Sequence, residues 1–231
     1  MKLGLGLNIS SNVYDDNYSL DFNGSTQYIT VDTLAGDMNG ALGTISCWCK
    51  LDTVSSSAHI MKAKVDSNNF LTFFYHASSN EFRAIHKGGG TTKSAVIASG
   101  DTIENDGNWH NVVMTWDTSE GEVKIYLDGT LKATTTGLGT FSGTIAEADI
   151  GQNLLDGAYW NGKISEVAVF TQVISATTLY NSGKPLELAG LSGLVGYYKF
   201  EEGTGAKAED SSGLGNTGTL VNSPTYSTDT P

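Results

Sequence analysis

A two-residue rhythm of apolar and polar side chains constrains this chain more than any other feature. Leu3, Leu5, Leu7 and Ile9 alternate with glycine and polar residues; Ile45, Cys47, Cys49 and Leu51 alternate with Ser46, Trp48 and Lys50; Val123, Ile125 and Leu127 alternate with Lys124 and Tyr126. Successive side chains of a strand point to opposite faces, so each segment reads as a strand with one face buried. Further strand-like runs lie at 19–22, 28–31, 70–76, 82–86, 94–98, 110–117, 148–151, 162–170 and 194–200. Between them stand Asn23-Gly24, Asp106-Gly107, Asp128-Gly129 and Asn161-Gly162, dipeptides that tolerate the positive φ of tight turns. About a dozen short strands joined in this way predict an all-β fold, an antiparallel sandwich of two sheets. The one helical candidate is 175–182, with Ser175 as N-cap and Gly183 as C-cap ahead of Pro185.

With 231 residues the chain has room for one large domain and a smaller appendage. Residues 1–190 carry the sandwich pattern, while residues 191–231 read as a strand-and-loop tail that packs on the sandwich or on a neighbour. Thirteen Lys and Arg oppose 25 Asp and Glu, a formal net charge of −12, and Arg83 carries the only guanidinium. Binding a phosphate backbone relies on clustered cations that release counterions, so nucleic acid is not an expected partner. No apolar run reaches the ~18 residues of a membrane span, and the opening apolar stretch is too short for a secretory signal. Cys47 and Cys49 share one face of one strand, a placement that suits a disulfide poorly, and are expected as buried free thiols. His110 is expected to be a satisfied structural histidine. His76 and His86 lie on adjacent predicted strands and are expected to face one side, without the acidic partner that a metal pair needs.

Four stretches, in order, carry a resemblance. They are SLDFNGSTQYITV at 19–31, GTISCWCKLD at 43–52, GNWHNVVMTWDTSEGEVKIYLDGTLKATT at 107–135 and IGQNLLDGAYWNGKISEVAVFTQVIS at 150–175. Together they resemble the LamG-like jelly roll of the laminin-G, pentraxin and concanavalin A-like lectin/glucanase superfamily, which implies a jelly-roll sandwich. Such folds host glucan hydrolases, calcium-dependent lectins and adhesion modules, so each chemistry is weighed on the residues present. Laminarinase-type members carry a nucleophile and an acid/base glutamate on one strand. The matching window here runs from Glu147 through Asp149 to Gln152, and a glutamine cannot donate and recover a proton. Glu147 and Asp149 are therefore expected as a solvated strand face, and the chain as a non-enzyme. Resemblance to pentraxins implies calcium ligands just after Gln152, where Asn153-Leu154-Leu155-Asp156 departs from the acidic pattern, and sets Cys47 opposite Val113 in place of a second cysteine.

A separate oxygen-rich loop at 209–216, with Asp210 and Asn216, would clip one structural calcium or close as an Asx- or Ser-capped turn. Glycan recognition uses an aromatic ring under a sugar face and amides or carboxylates for the hydroxyls, which makes Trp48, Tyr75, His76, Gln152, Asn153, Asp156 and Tyr159 candidates. Trp48 qualifies because the alternation sets it opposite the cysteines and off the inter-sheet core, unless another segment covers it. Trp160 stands where the family has a core aromatic.

In this family a segment like GYYKFEEGTG…DSSGLGNTGTL (196–220) precedes the first sandwich strand, whereas here it follows the whole domain. That order implies a tail that folds back on its own sheet, the expected outcome, or docks on a neighbour. The ends of the chain, MKLGLGL and the region from LYNSGKPLEL to STDTP, resemble virion proteins of marine tailed phages. This resemblance implies a non-enzymatic structural or adhesion protein on the virion surface, made in the host cytoplasm. Its implied partners are other virion proteins, copies of itself and cell-surface glycans. The strand at 2–9, through Leu3, Leu5 and Leu7, is the expected interface. The alternatives are a calcium-dependent lectin and a laminarinase-type glycoside hydrolase.

Overall fold

The computed structural model describes residues 14, 16–101, 103–153 and 157–231. In chain order its strands are β1 (Ser19–Asn23), β2 (Tyr28–Thr30), β3 (Leu42–Leu51), β4 (Ala58–Asp66), β5 (Asn69–His76), β6 (Glu81–Gly88), β7 (Thr91–Ile97) and β8 (His110–Asp117). They continue with β9 (Glu122–Leu127), β10 (Thr130–Thr136), β11 (Glu147–Ile150), β12 (Asn161–Phe170), β13 (Leu194–Tyr198), β14 (Lys207–Ala208), β15 (Gly218–Val221) and β16 (Thr225–Ser227). Two short helices, α1 (Asp32–Ala35) and α2 (Ala176–Tyr180), join them. The first sheet runs β10, β9, β8, β3, β12, β1, β16, with β13 also paired to β12; the second runs β14, β15, β2, β11, β4, β5, β6, β7. The expected all-β antiparallel sandwich is the observed one.

Alternation dictates the core. Ile45, Cys47, Cys49, Val112, Met114 and Ile125 of the first sheet face inward and meet Ile29, Ile60, Leu71, Phe73, Tyr75 and Ile150 of the second. Each such side chain taken fully out of water contributes about 1.5–3 kcal/mol before entropy is counted. Both thiols are buried and free. Cys47 pairs with Val112, so the register of β3 against β8 lies one residue from the expected Val113. The hairpin from β9 to β10 turns through Asp128 and Gly129 at φ 49° and 72°, the doubly left-handed geometry that matches strand twist. His110 is held as expected, its Nδ1 2.8 Å from Asp128 Oδ2 and its Nε2 2.9 Å from Asp106 Oδ2.

The tail supplies two strands to each sheet: β13 beside β12 and β16 beside β1, β15 beside β2 and β14 beside β15. β12 accepts β1 along its first half and β13 along its second. Between them its pairing with β3 shifts, and Glu166 sits at that bulge at φ 56°. The expected helix is shorter than its pattern: Asn181, not Gly183, takes the left-handed C-cap at φ 45°. An amide side chain tolerates that conformation, and the chain turns two residues early. Leu3, Leu5 and Leu7 lie outside the described residues.

Candidate functional site

A sandwich has two outer faces, and here they differ. On the first sheet Val113, Ala168, Phe170 and Tyr197 point outward and are covered by Ala176 and Leu179 of α2 and by Leu188 of the following connector. On the second sheet the outward positions of β4, β5 and β6 are partly covered: Lys62, Phe70, Arg83, Ile85 and Lys87 are half-buried, while His59, Thr72 and Phe74 are buried. Their registers set side chains in three rows across the strands. One row reads Glu147, Lys64, Phe70, Lys87, Thr92; the next reads Asp149, Lys62, Thr72, Ile85, Ser94; the third reads His59, Phe74, Arg83, Val96. Between the outer rows lies a groove of about 450 Å3, floored by Lys62, Thr72 and Ile85, walled by Phe70 on one side and by Phe74 and His59 on the other, and bounded by Ser57, Asn153 and Ala158. A second depression of about 320 Å3 shares Lys62 and Phe70 with it and adds Lys64, Asp66 and Glu147.

The walls are built by cross-strand pairing. His59 and Phe74 stack with centroids 4.4 Å apart and planes 2° from parallel, and His59 Nδ1 lies 2.9 Å from Thr72 Oγ1. Burial, reinforced by the Lys62 ammonium, pulls the His59 imidazole down to about 3, so the ring is neutral. At the other wall the Lys62 and Lys87 ammonium groups lie 5.1 Å and 5.5 Å from the centre of the Phe70 ring, within cation–π range. Lys62 also donates to Asn153 Oδ1 at 2.5 Å. Behind the groove Asp149 is buried and accepts from Gln152 Nε2 at 2.6 Å. Burial lifts its carboxyl to about 6. Tyr28 and Tyr159 pack at 6.4 Å beside this pair.

A family model described as the concanavalin A-like lectin/glucanases superfamily matches residues 23–179. The chain belongs to this superfamily. Solved structures share the fold at low identity. A candidate carbohydrate-binding protein from Bacteroides ovatus superposes with a TM-score of 0.66 at 18% identity, covering 91% of this chain and 59% of its own. The heptameric SAP-like pentraxin of Limulus polyphemus gives 0.54 at 13% identity, covering 73% of this chain and 82% of its own. The CBM40 of a Ruminococcus gnavus sialidase, bound to α2,6 sialyllactose, gives 0.56 at 13% identity, with 72% and 96% covered. This chain thus spans little more than half of the Bacteroides protein. By sequence, no curated protein matches it.

Within this superfamily frame the residues singled out from the sequence scatter. Asn153 lines the groove, and His76 stands at the end of β5, past the edge of Phe74, with Nδ1 2.8 Å from Ser79 Oγ. Trp48 does point away from the inter-sheet core, but it is 4% exposed and stacked on Tyr180 at 5.9 Å, on the sheet opposite the groove. Tyr75 is 1% exposed and faces inward, its hydroxyl donating to Glu104 Oε2 at 2.9 Å. The ring that β5 turns to the outer face at that end is Phe74, one residue earlier and itself 7% exposed, because the bulges of β4 and the core set the parity of β5. Gln152 is buried on Asp149, and Tyr159 lines a small separate depression with Asn23, Thr53 and Asn161. Asp156 lies outside the described residues. Trp160 is fully buried, as a core aromatic.

Three further expectations are corrected. Glu147 is exposed and paired with Lys64 at 3.0 Å, but Asp149 is no solvated residue; it is 4% exposed. His76 faces outward while His86 faces the interior and lies 2.9 Å from the Gly40 carbonyl, so the two cannot share a ligand. In the 209–216 loop the protein's own donors take the Asp210 carboxylate: Oδ1 accepts from the Tyr197 and Ser212 backbone N–H at 3.0 and 2.9 Å, and Oδ2 from Ser212 Oγ and the Asn216 N–H at 2.7 and 2.8 Å. Asn216 donates to Asp37 Oδ2 at 2.8 Å and to the Val195 carbonyl at 2.9 Å, and its own carbonyl accepts from the Tyr198 hydroxyl at 2.6 Å. The loop is thus the capped turn, with no oxygen left over for calcium from these side chains. His59, Lys62, Phe70 and Phe74 were not singled out beforehand. The run 70–76 is apolar at both parities, so alternation alone does not say which rings reach solvent.

Proposed function

We propose that the chain is a non-catalytic carbohydrate-binding module that receives a glycan in the groove across β4, β5 and β6. The carrying observation is the pair of aromatic walls. Phe70 and Phe74 are four residues apart on one strand, about 13 Å at ~3.3 Å per residue, over a floor of Thr72, Ile85 and Lys62. That spacing and chemistry suit a short oligosaccharide, with apolar sugar faces on the rings and hydroxyls on Thr72, Ser57 and Asn153. Carbohydrate-binding relatives of the same fold support the reading. Hydrolysis needs a nucleophile and a proton donor flanking one bond. The carboxylates beside the groove are already engaged, Glu147 by Lys64 and Asp149 by Gln152, and Gln152 stands where the acid/base residue would.

Display on a phage virion, in decoration or adhesion and in contact with other virion proteins or copies of this chain, is the wider form of the reading. It rests on the resemblance of the two chain ends, and mass spectrometry of purified particles tests it. For the module itself the test is a glycan array with the wild type and Phe70→Ala in buffer with EDTA. Wild type is expected to bind a defined glycan set with the chelator present, and the variant to lose at least about tenfold, since a sugar-stacking ring contributes on the order of 1–2 kcal/mol. Binding unchanged in the folded variant would remove the groove from the reading.

A further inference from the structure

We propose that the Phe70 end of the groove recognises an acidic sugar, one bearing a carboxylate or a sulfate, while the Phe74 end takes a neutral one. This deepens, and rests on, the reading of the groove as a glycan site. The chain as a whole carries 25 acidic and 13 basic residues, so a cation left over on a groove wall stands out against a background that repels anions.

The charges at that end can be followed one by one. Glu147 is held by Lys64 at 3.0 Å. The Asp66 carboxylate is turned into its own loop, where Oδ1 accepts from the Asn68 backbone N–H at 2.7 Å and from Asn69 Nδ2 at 3.1 Å, and Lys87 acts on it only as the weakest of several influences, with no ion pair between them. Lys62 is already engaged by Asn153. Lys87 lies 5.5 Å from the centre of the Phe70 ring and forms no salt bridge among the described residues. Its register partners are Phe70 on β5 and Thr92 on β7, neither of which carries a charge. A ring flanked by two ammonium groups offers its face to the apolar side of a sugar and places a cation where an equatorial carboxylate or sulfate projects.

The other wall differs in kind. His59 and Phe74 are stacked on each other, the imidazole is bonded to Thr72, and the nearby Arg83 is engaged by Glu81, with Nη2 2.6 Å from Oε2. Among the described residues the guanidinium at that end is already paired, so it accepts a sugar mainly through apolar contact and hydroxyl hydrogen bonds.

The test uses matched pairs of glycans: oligogalacturonates beside their carboxyl-reduced products, and sulfated galactans beside their desulfated products, titrated by calorimetry into wild type, Lys87→Gln and the control Lys207→Gln. At least one acidic member is expected to bind about tenfold or more tightly than its neutral counterpart, the size of one charge-assisted contact. Lys87→Gln is expected to abolish that preference, and the control Lys207→Gln to change neither the preference nor the affinity for the neutral member. Preference for the carboxylate pair, the sulfate pair or both identifies the group, and each supports the proposal. Equal affinity for acidic and neutral members, or a preference that survives Lys87→Gln, overturns it while leaving the glycan-binding module standing. Failure of every glycan to bind overturns both.

Discussion

The two outer faces of this sandwich obey the same alternation and meet opposite fates. On the first sheet the outward side holds an apolar cluster of Val113, Ala168, Phe170 and Tyr197, with Trp48 nearby, among buried polar residues such as Ser46, Asn111, Thr115 and Ser165. Left open, that cluster would form a patch of the kind that drives association, and the chain covers it itself with α2 and the connector that follows. On the second sheet the outward set mixes rings with Lys62, Lys64, Arg83, Lys87, Thr72 and Glu81, and only part of it, His59, Thr72 and Phe74, is buried. Sealing one face consumes the aromatic residues that looked most like sugar platforms; mixing on the other leaves platforms that can stay wet. A ring on an outer face is therefore a binding feature only where its neighbours are polar enough to keep the face open.

Predictions follow that contrast from the largest effect down. Phe170→Ala, under the α2 cover, is expected to lower stability by about 3–5 kcal/mol, as for buried aromatics elsewhere, read as a fall in the urea midpoint, with glycan affinity of the folded fraction unchanged. A lost affinity with an unmoved midpoint would reverse the roles assigned to the two faces.

The sealed face also holds Glu166, which accepts hydrogen bonds from the Tyr14 and Tyr197 hydroxyls. Burial lifts its carboxyl to about 8 despite those bonds. A raised pKa means the folded state binds the proton more tightly than the unfolded chain, so the stability it contributes is complete below the ordinary 4.5 and is lost as pH rises through about 8. Asp16 and Asp149, lifted by burial to about 7 and about 6, act with the same sign. Unfolding free energies from urea titrations should decline from pH 5 to pH 8 by an amount on the order of a few kcal/mol, and Glu166→Gln should flatten much of that slope. An identical slope in the variant would place the proton elsewhere.

The open face is expected to be the less pH-sensitive in function. His59 keeps its neutral form until about 3, so glycan affinity for a neutral sugar should stay level between pH 5 and pH 8. Its lowered pKa contributes stability above the ordinary 6.5 that is lost as pH falls toward about 3. Titration of affinity with a midpoint near 6.5 would show that the ring is exposed and charged in solution. The smallest effect is expected at His110, where hydrogen bonds donated to Asp128 and then to Asp106 raise the pKa against the burial that lowers it. Below the ordinary 6.5 this pair of contacts stabilises the β8–β9 hairpin, and the gain fades as pH rises through the raised value. His110→Gln should therefore cost more at pH 5 than at pH 8 by a modest shift in thermal midpoint.

Much of the fold was legible in the sequence, and less of the site. Where alternation was clean, as at Ile45–Leu51, it assigned the inward cysteines and the outward tryptophan correctly, and Asp128-Gly129 marked a hairpin that is present. Where both parities are apolar, as in Phe70-Leu71-Thr72-Phe73-Phe74-Tyr75, it left the platforms undetermined. Tyr75 went to the inter-sheet core and Phe74 to the outer side of the sheet, where it is 7% exposed, because β5 pairs with bulged β4 in a register set by the whole sheet. The oxygen-rich 209–216 loop looked like a cation clip because composition lists acceptors; the donors that claim them come from β13 and the loop backbone.

By itself the sequence determined the class of structure, since a period of two can bury one face of a strand and cannot bury one face of a helix, and it determined the net charge of −12. Tertiary structure alone decided which outer face is covered, which rings and cations meet across β4, β5 and β6, and how the tail enters both sheets. Those outcomes depend on contacts between residues far apart along the chain, and local periodicity carries no information about which distant segment arrives to cover, pair with or neutralise a given side chain.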